Sequence, residues 1–179
     1  MLRFPVDVLV VRKIGVPAQP ELAMGAIGEE GVLVVERTTV RACGVSEAEF
    51  ARLASAERAE LERRVRTYRR GRAPMRLEMK VSVIVDDGLA TGASAEAACE
   101  VVRARGTSRV IVATPVSSNA AARRMEDLAD QFVTLERVGG PFAVGQWYED
   151  FRPTSDQEVI DDLIEAQRLD GEDPKGAAT

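Results

Sequence analysis

Residues 83–94 read VIVDDGLATGAS. An apolar run meets two adjacent aspartates, Asp86 and Asp87, and then a loop of small and hydroxylic residues. Neighbouring carboxylates repel each other, and each is costly to bury. Such a pair accepts hydrogen bonds, which suits vicinal hydroxyls. The loop behind it has the opposite preference. Gly88 and Gly92 permit a turn and a close backbone approach. A helix starting near Ala93 offers free amides and the positive end of its dipole to an anion. Thr91 and Ser94 add hydroxyl donors. One end of the stretch takes a diol and the other a phosphate, the two halves of a ribose 5-phosphate.

Such a loop needs elements that hold it at the carboxyl end of a parallel strand. Residues 81–85 read as that strand, and residues 93–105 as a helix stopped by Gly106. A third strand over residues 109–115, a helix over 118–129 and a strand over 132–135 continue the alternation. This pattern builds a parallel sheet through right-handed crossovers. Residues 6–11, rich in valine, read as a strand buried on both faces. Residues 21–27 and 32–36 read as a hairpin. Residues 46–70 form a helix opened by a capping box of Ser46 and Glu49, with its Glu and Arg side chains on a solvated face. A last helix starts at Ser155, again with a capping-box glutamate, Glu158. The fold class expected is α/β: a parallel twisted sheet flanked by helices, as a single domain over residues 1–168. A small hood lies at about residues 22–75, and residues 169–179 form a disordered tail.

Composition narrows the function classes. The 179 residues carry a net charge of −5 at 45% hydrophobic and 30% charged, an ordinary globular composition that argues against a general nucleic-acid binder. The chain has no histidine, which excludes histidine-dependent triads and removes the usual zinc ligand. Cys43 and Cys99 lack metal-like spacing and read as small buried hydrophobes in a reducing compartment. No apolar run is long enough to span a membrane, and the N-terminus lacks a signal-peptide cleavage site. A cytoplasmic protein is expected.

The twelve residues VIVDDGLATGAS closely resemble the phosphoribosyl-pyrophosphate motif of the type I phosphoribosyltransferases: apolar strand, two acidic residues, a glycine turn, Thr-Gly, then a hydroxyl. DVLVVRKIGVPAQPELAMGAI (residues 7–27) and FAVGQWYEDF (residues 142–151) resemble a bacterial branch of phosphoribosyltransferase-like proteins. The likeness spans roughly residues 6–165. It implies that Asp86 and Asp87 hold the ribose hydroxyls and are the residues of the catalytic centre. Gly88, Leu89, Ala90, Thr91, Gly92, Ala93 and Ser94 would wrap the 5-phosphate. Arg12 and Lys13 look like a basic pair that contacts the pyrophosphate. Mg²⁺ would travel with the pyrophosphate, held by substrate oxygens and water rather than directly by protein. The implied reaction transfers the phosphoribosyl group to an unidentified nitrogenous base with release of pyrophosphate. Positioning and charge stabilisation would carry it. A role in nucleotide metabolism and a homodimeric assembly follow from the same resemblance.

Each assignment has a plainer counterpart. Trp147 and Tyr148 are candidates for stacking on the base, yet Phe142, Trp147, Tyr148 and Phe151 equally read as packing the C-terminal segment onto the sheet. Arg123 and Arg124 read as a solvated helix face. The family places a strand, a pyrophosphate-binding loop and a helix before the Arg-Lys strand, and nothing resembling that unit precedes residue 6. The expectation is a sheet edge or apolar face left open. Three readings stay open: a Mg²⁺-dependent transferase, a non-catalytic regulatory module that binds the pyrophosphate donor or a nucleotide, and an interaction protein.

Overall fold

The computed structural model describes residues 4–140 and 143–170. Two three-stranded sheets organise it. The first is antiparallel: β1 (Val11–Val16), β2 (Gln19–Gly28) and β3 (Leu33–Val35), in that order. Helices α1 (Arg37–Ala42) and α2 (Glu47–Arg69) follow it. The stretch read as a hood thus forms most of this sheet and the two helices. The second sheet is parallel, in the order β4 (Val81–Val85), β5 (Arg109–Ser118), β6 (Gln131–Val138). Its crossovers are α3 (Ala93–Ala104) and α4 (Asn119–Leu128). A 3-10 turn (Val144–Trp147) and α5 (Asp156–Asp170) complete the fold. The architecture is the expected α/β one. Among the described residues no helix is long and apolar enough to cross a membrane.

Helix α3 joins the two sheets. On one side Ala95, Cys99 and Val102 pack with Val110 and Val112 of the parallel sheet and with Ala121 and Met125 of α4. On the other, Ala93 and Ala97 meet Ala23, Ala26 and Val34 of the antiparallel sheet. The far face of that antiparallel sheet packs Ile14, Val16 and Met24 against Ala54, Phe50 and Leu53 of α2. Small residues let α3 approach both neighbours closely. A Cβ on Gly28 would lie 2.7 Å from Val101 Cγ2.

The opposite face of the parallel sheet is open. Val81, Val83 and Val85 on β4 and Val133 and Leu135 on β6 are exposed, Val85 at 76% and Leu135 at 81%. Strand β4 pairs only with β5 among the described residues.

Several boundaries differ from those read in the sequence. Residues 6–10 are not a strand. The Asp7 carboxylate accepts from the Val8 amide, and the Glu29 carboxylate accepts from the Val10 amide at 2.8 Å each. Side chains take donors that a strand would give to a neighbour, and β1 starts at Val11. Arg12 and Lys13 therefore lie inside a strand rather than at its end. β5 runs through Pro115 to Ser118 because pairing with β6 resumes at Val116↔Glu136. Proline's missing N–H costs nothing at a position outside the ladder. Cys43 is exposed, whereas Cys99 is buried as expected. The helix caps hold: Ser46 Oγ accepts from the Glu49 amide, and Ser155 pairs with Glu158. α5 continues through residue 170, and the rest of the expected tail lies outside the described residues.

A buried ion-pair network closes the structure. Arg69, at the end of α2 with 7% of its side chain exposed, donates to Asp7 at 2.8 Å, to the Val8 carbonyl at 2.8 Å and to Glu29 at 3.1 Å. Arg105, just past α3, reaches the same Glu29 at 2.7 Å. Removing one partner of such a network leaves an uncompensated buried charge. Arg69→Met is expected to lower the unfolding free energy by about 3–5 kcal/mol. Urea denaturation should show this as a lower midpoint with an unchanged slope.

Candidate functional site

Strand β4 ends at Val85, and Asp86 continues its pairing by donating its amide to Ala113 O at 3.1 Å. The chain then turns across the top of β5. The Leu89 amide donates to Val116 O at 3.0 Å, and Leu89 O accepts from the Ser118 amide at 2.9 Å. Leu89 is buried in the core shared by α3 and α4. Ser118 Oγ donates to Ala90 O at 2.7 Å while accepting from the Ala121 amide as the N-cap of α4. The loop is thus tied to β5 at Leu89 and Ala90 before it turns at Thr91 and Gly92. Gly92 sits at φ +78°, a left-handed conformation that favours glycine, and α3 starts directly after it.

That geometry leaves donors at the carboxyl end of the sheet. Thr91 Oγ1 accepts from the Ala93 amide at 3.4 Å. Among the described residues no backbone carbonyl accepts from the amides of Thr91, Gly92 or Ser94. Thr91 is exposed and Ser94 half-buried. Unpaired amides converging on a helix N-terminus form an anion cradle.

The two aspartates differ. Asp87 is exposed, whereas Asp86 is half-buried. Burial, with the adjacent Asp87 side chain second, pushes the Asp86 carboxyl up to about 6. The Gly88 amide, 3.4 Å from Asp86 Oδ1, acts in the opposite direction.

The C-terminal aromatics close over this turn. Tyr148 Oη donates to the Asp87 carbonyl at 2.7 Å. A Cβ on Gly88 would lie 2.5 Å from Val144 Cγ1, so Val144 seats directly on the glycine. Tyr148 and Phe151 rings sit 5.2 Å apart, and Phe151 covers Gly145. Trp147 remains 49% exposed. The segment therefore packs on the aspartate turn, against β5 of the parallel sheet, and on itself. Phe142 lies outside the described residues.

The basic pair is split by strand alternation. Arg12 shares the face of Ile14 and donates to Glu57 of α2 at 2.8 Å. Lys13 shares the face of Val11, which packs with Ala93 and Ala97 of α3. Arg124 departs from the solvated face read for it: it is three-quarters buried and ion-paired with Glu36 and Glu96. No local pattern exposes this, because both partners are distant in sequence. The tie from Ser118 to Ala90 is likewise absent from any motif. The only signal for it is the N-cap position of Ser118.

The folded Asp86 carboxyl titrates above its unfolded value of 3.8. Between about pH 4 and 6 the folded state therefore binds more protons than the unfolded one, and the Asp86 contribution to stability falls as pH rises. Asp86→Asn is expected to raise Tm relative to wild type at pH 7–8, with the gain vanishing below about pH 4, in melts across that range. Gly88→Ala is expected to displace the 144–151 segment and raise its hydrogen exchange, and Val144→Ala in the same chain should restore protection.

Residues 11–150 match the model of the phosphoribosyl transferase domain. Two Mycobacterium tuberculosis proteins, from strains CDC 1551 and H37Rv and each named "Putative phosphoribosyl transferase", are 47% identical over 167 residues. The match covers 93% of this chain and 38% of each relative, so the chain spans about two fifths of their length. The crystal structure of a Thermus thermophilus protein superposes with a TM-score of 0.66 at 42% identity, covering 89% of this chain and 75% of that one. With this match over residues 11–150, and with the loop of residues 86–94 at the carboxyl end of its parallel sheet, the chain belongs to the phosphoribosyl transferase domain family.

Proposed function

We propose that the loop of residues 86–94 binds 5-phosphoribosyl 1-pyrophosphate and that the chain transfers its phosphoribosyl group to a nitrogenous base. The observation that carries this is the juxtaposition of the paired Asp86 and Asp87 carboxylates with the unpaired amides of Thr91, Gly92 and Ser94. Asp86 and Asp87 accept hydrogen bonds from the two ribose hydroxyls. The amides of Thr91, Gly92 and Ser94 and the Thr91 and Ser94 hydroxyls hold the 5-phosphate, while the Leu89 amide is spent on Val116 O. Arg12 and Lys13 are the proposed contacts to the pyrophosphate; they lie on opposite faces of β1, Lys13 on the face whose Val11 packs against α3 and Arg12 on the face toward Glu57 of α2. The half-exposed Trp147, with Tyr148 on the aspartate turn, offers an aromatic face to the base.

The chemistry needs little proton transfer from protein. A base nitrogen attacks ribose C1 as pyrophosphate leaves, through an oxocarbenium-like transition state. Asp86 and Asp87 hold the ribose in place and lie near developing positive charge on the ring. The donor set fits Mg²⁺ carried by the substrate: hard carboxylate oxygens at the ribose end can accept from the waters of a hard cation. When bound, that ion would neutralise charge on the departing pyrophosphate.

A ligand that binds only the folded state stabilises it by RT ln(1 + [L]/Kd), or about 2.7 kcal/mol at 100-fold excess over Kd. 5-Phosphoribosyl 1-pyrophosphate with Mg²⁺ is expected to give a saturable rise in Tm that Asp86→Asn/Asp87→Asn abolishes. No rise at millimolar ligand from a cooperatively folding wild type would overturn the assignment. Pyrophosphate release in a screen of bases then separates transfer from binding alone. Binding with no release from any base would favour a regulatory module.

A further inference from the structure

Arg124 touches the phosphate loop from behind. Its Nη1 donates to the Thr91 carbonyl at 3.5 Å. Its Cδ lies 3.4 Å from where a Cβ on Gly92 would sit. Its Nη2 is ion-paired with Glu96, in the first turn of α3, and with Glu36, directly after β3. One side chain of α4 therefore joins the turn of the loop, the helix that starts from it and the antiparallel sheet layer.

The charges matter as much as the contacts. Glu96 donates its amide to Gly92 O at 2.9 Å, so its backbone belongs to the same helix start as the loop amides. Glu36 and Glu96 bring two carboxylates to the back of a loop whose front suits an anion. Left unopposed, they would repel a phosphate dianion and offset the helix dipole. The three side chains are each a quarter exposed or less, so water screens them only in part. The planar guanidinium is suited to holding two carboxylates and a carbonyl at once.

We propose that Arg124 is the positioning residue of the phosphate loop: it fixes the Thr91–Gly92 turn and neutralises Glu36 and Glu96, so that the loop accepts a phosphate monoester. It does not touch the ligand. This rests on the assignment of residues 86–94 to ribose 5-phosphate, and the test separates the two.

Calorimetric titration with ribose 5-phosphate, and separately with Mg²⁺-pyrophosphate, would be run on wild type, Arg124→Gln, Arg124→Gln/Glu36→Gln/Glu96→Gln and Glu36→Gln. Arg124→Gln is expected to weaken ribose 5-phosphate at least tenfold while leaving Mg²⁺-pyrophosphate within twofold. The triple variant should recover part of the loss, because the unopposed carboxylates are gone. A merely structural role would move both ligands together and give no recovery. That result, or Arg124→Gln binding ribose 5-phosphate as wild type does, overturns the proposal. Should Arg124→Gln fail to fold, Glu36→Gln decides: less negative charge behind the loop is expected to tighten ribose 5-phosphate severalfold, and unchanged or weaker binding overturns the proposal. A wild type that binds neither ligand overturns the assignment of the loop itself, whatever Arg124 does.

Discussion

The structure depends on one helix being thin. α3 is buried on two sides at once, with Ala95 and Cys99 toward the parallel sheet and Ala93 and Ala97 toward the antiparallel one. Interiors pack at crystal-like density, so the volume of these side chains sets the separation of the two sheets. The loop of residues 86–94 is the start of this helix, and its position follows from that separation. The core and the site are therefore one packing problem. At Gly92, Ala121 Cβ, Met125 Cε and Arg124 Cδ all lie 3.4–3.5 Å from where a Cβ would be, so core and site residues meet at a single point.

Around that helix, polar ties replace sheet continuity. Among the described residues the parallel sheet and the antiparallel sheet do not share a strand ladder. What links them besides apolar packing is charge: Glu29 receives Arg69 from α2 and Arg105 from α3, and Arg124 receives Glu36 and Glu96. One network lies at the end of α3 and the other at its start. Such networks favour one arrangement of layers, and a missing member would leave buried charge.

The parts legible in the sequence were those whose physics is local. The aspartate–glycine–threonine stretch sets its strand–turn–helix course within a few residues, and the caps at Ser46 and Ser155 need only a partner three residues on. β4 and α3 were bounded almost to the residue because apolar runs and a C-terminal glycine punctuate them. The misread parts depend on distant partners. Residues 6–10 have a strand's composition, but Glu29 and Asp7 take their amides. Arg124 looks like one of two surface arginines until the fold brings Glu36 to it. The third strand was read as ending at residue 115, and only the pairing with β6 carries it on to Ser118.

The wall over the aspartate turn is built in an unusual way. Tyr148 grips a main-chain carbonyl, and Val144 rests on a glycine that has no side chain. Neither contact uses a side chain of the loop. The wall recognises the shape of the loop and is indifferent to its functional groups. Substitutions among those groups can accumulate without unseating the wall, and the aromatic segment can vary at Trp147 without disturbing the loop. A chain built this way can vary the side chains on either side of that contact while keeping the segment and the turn together.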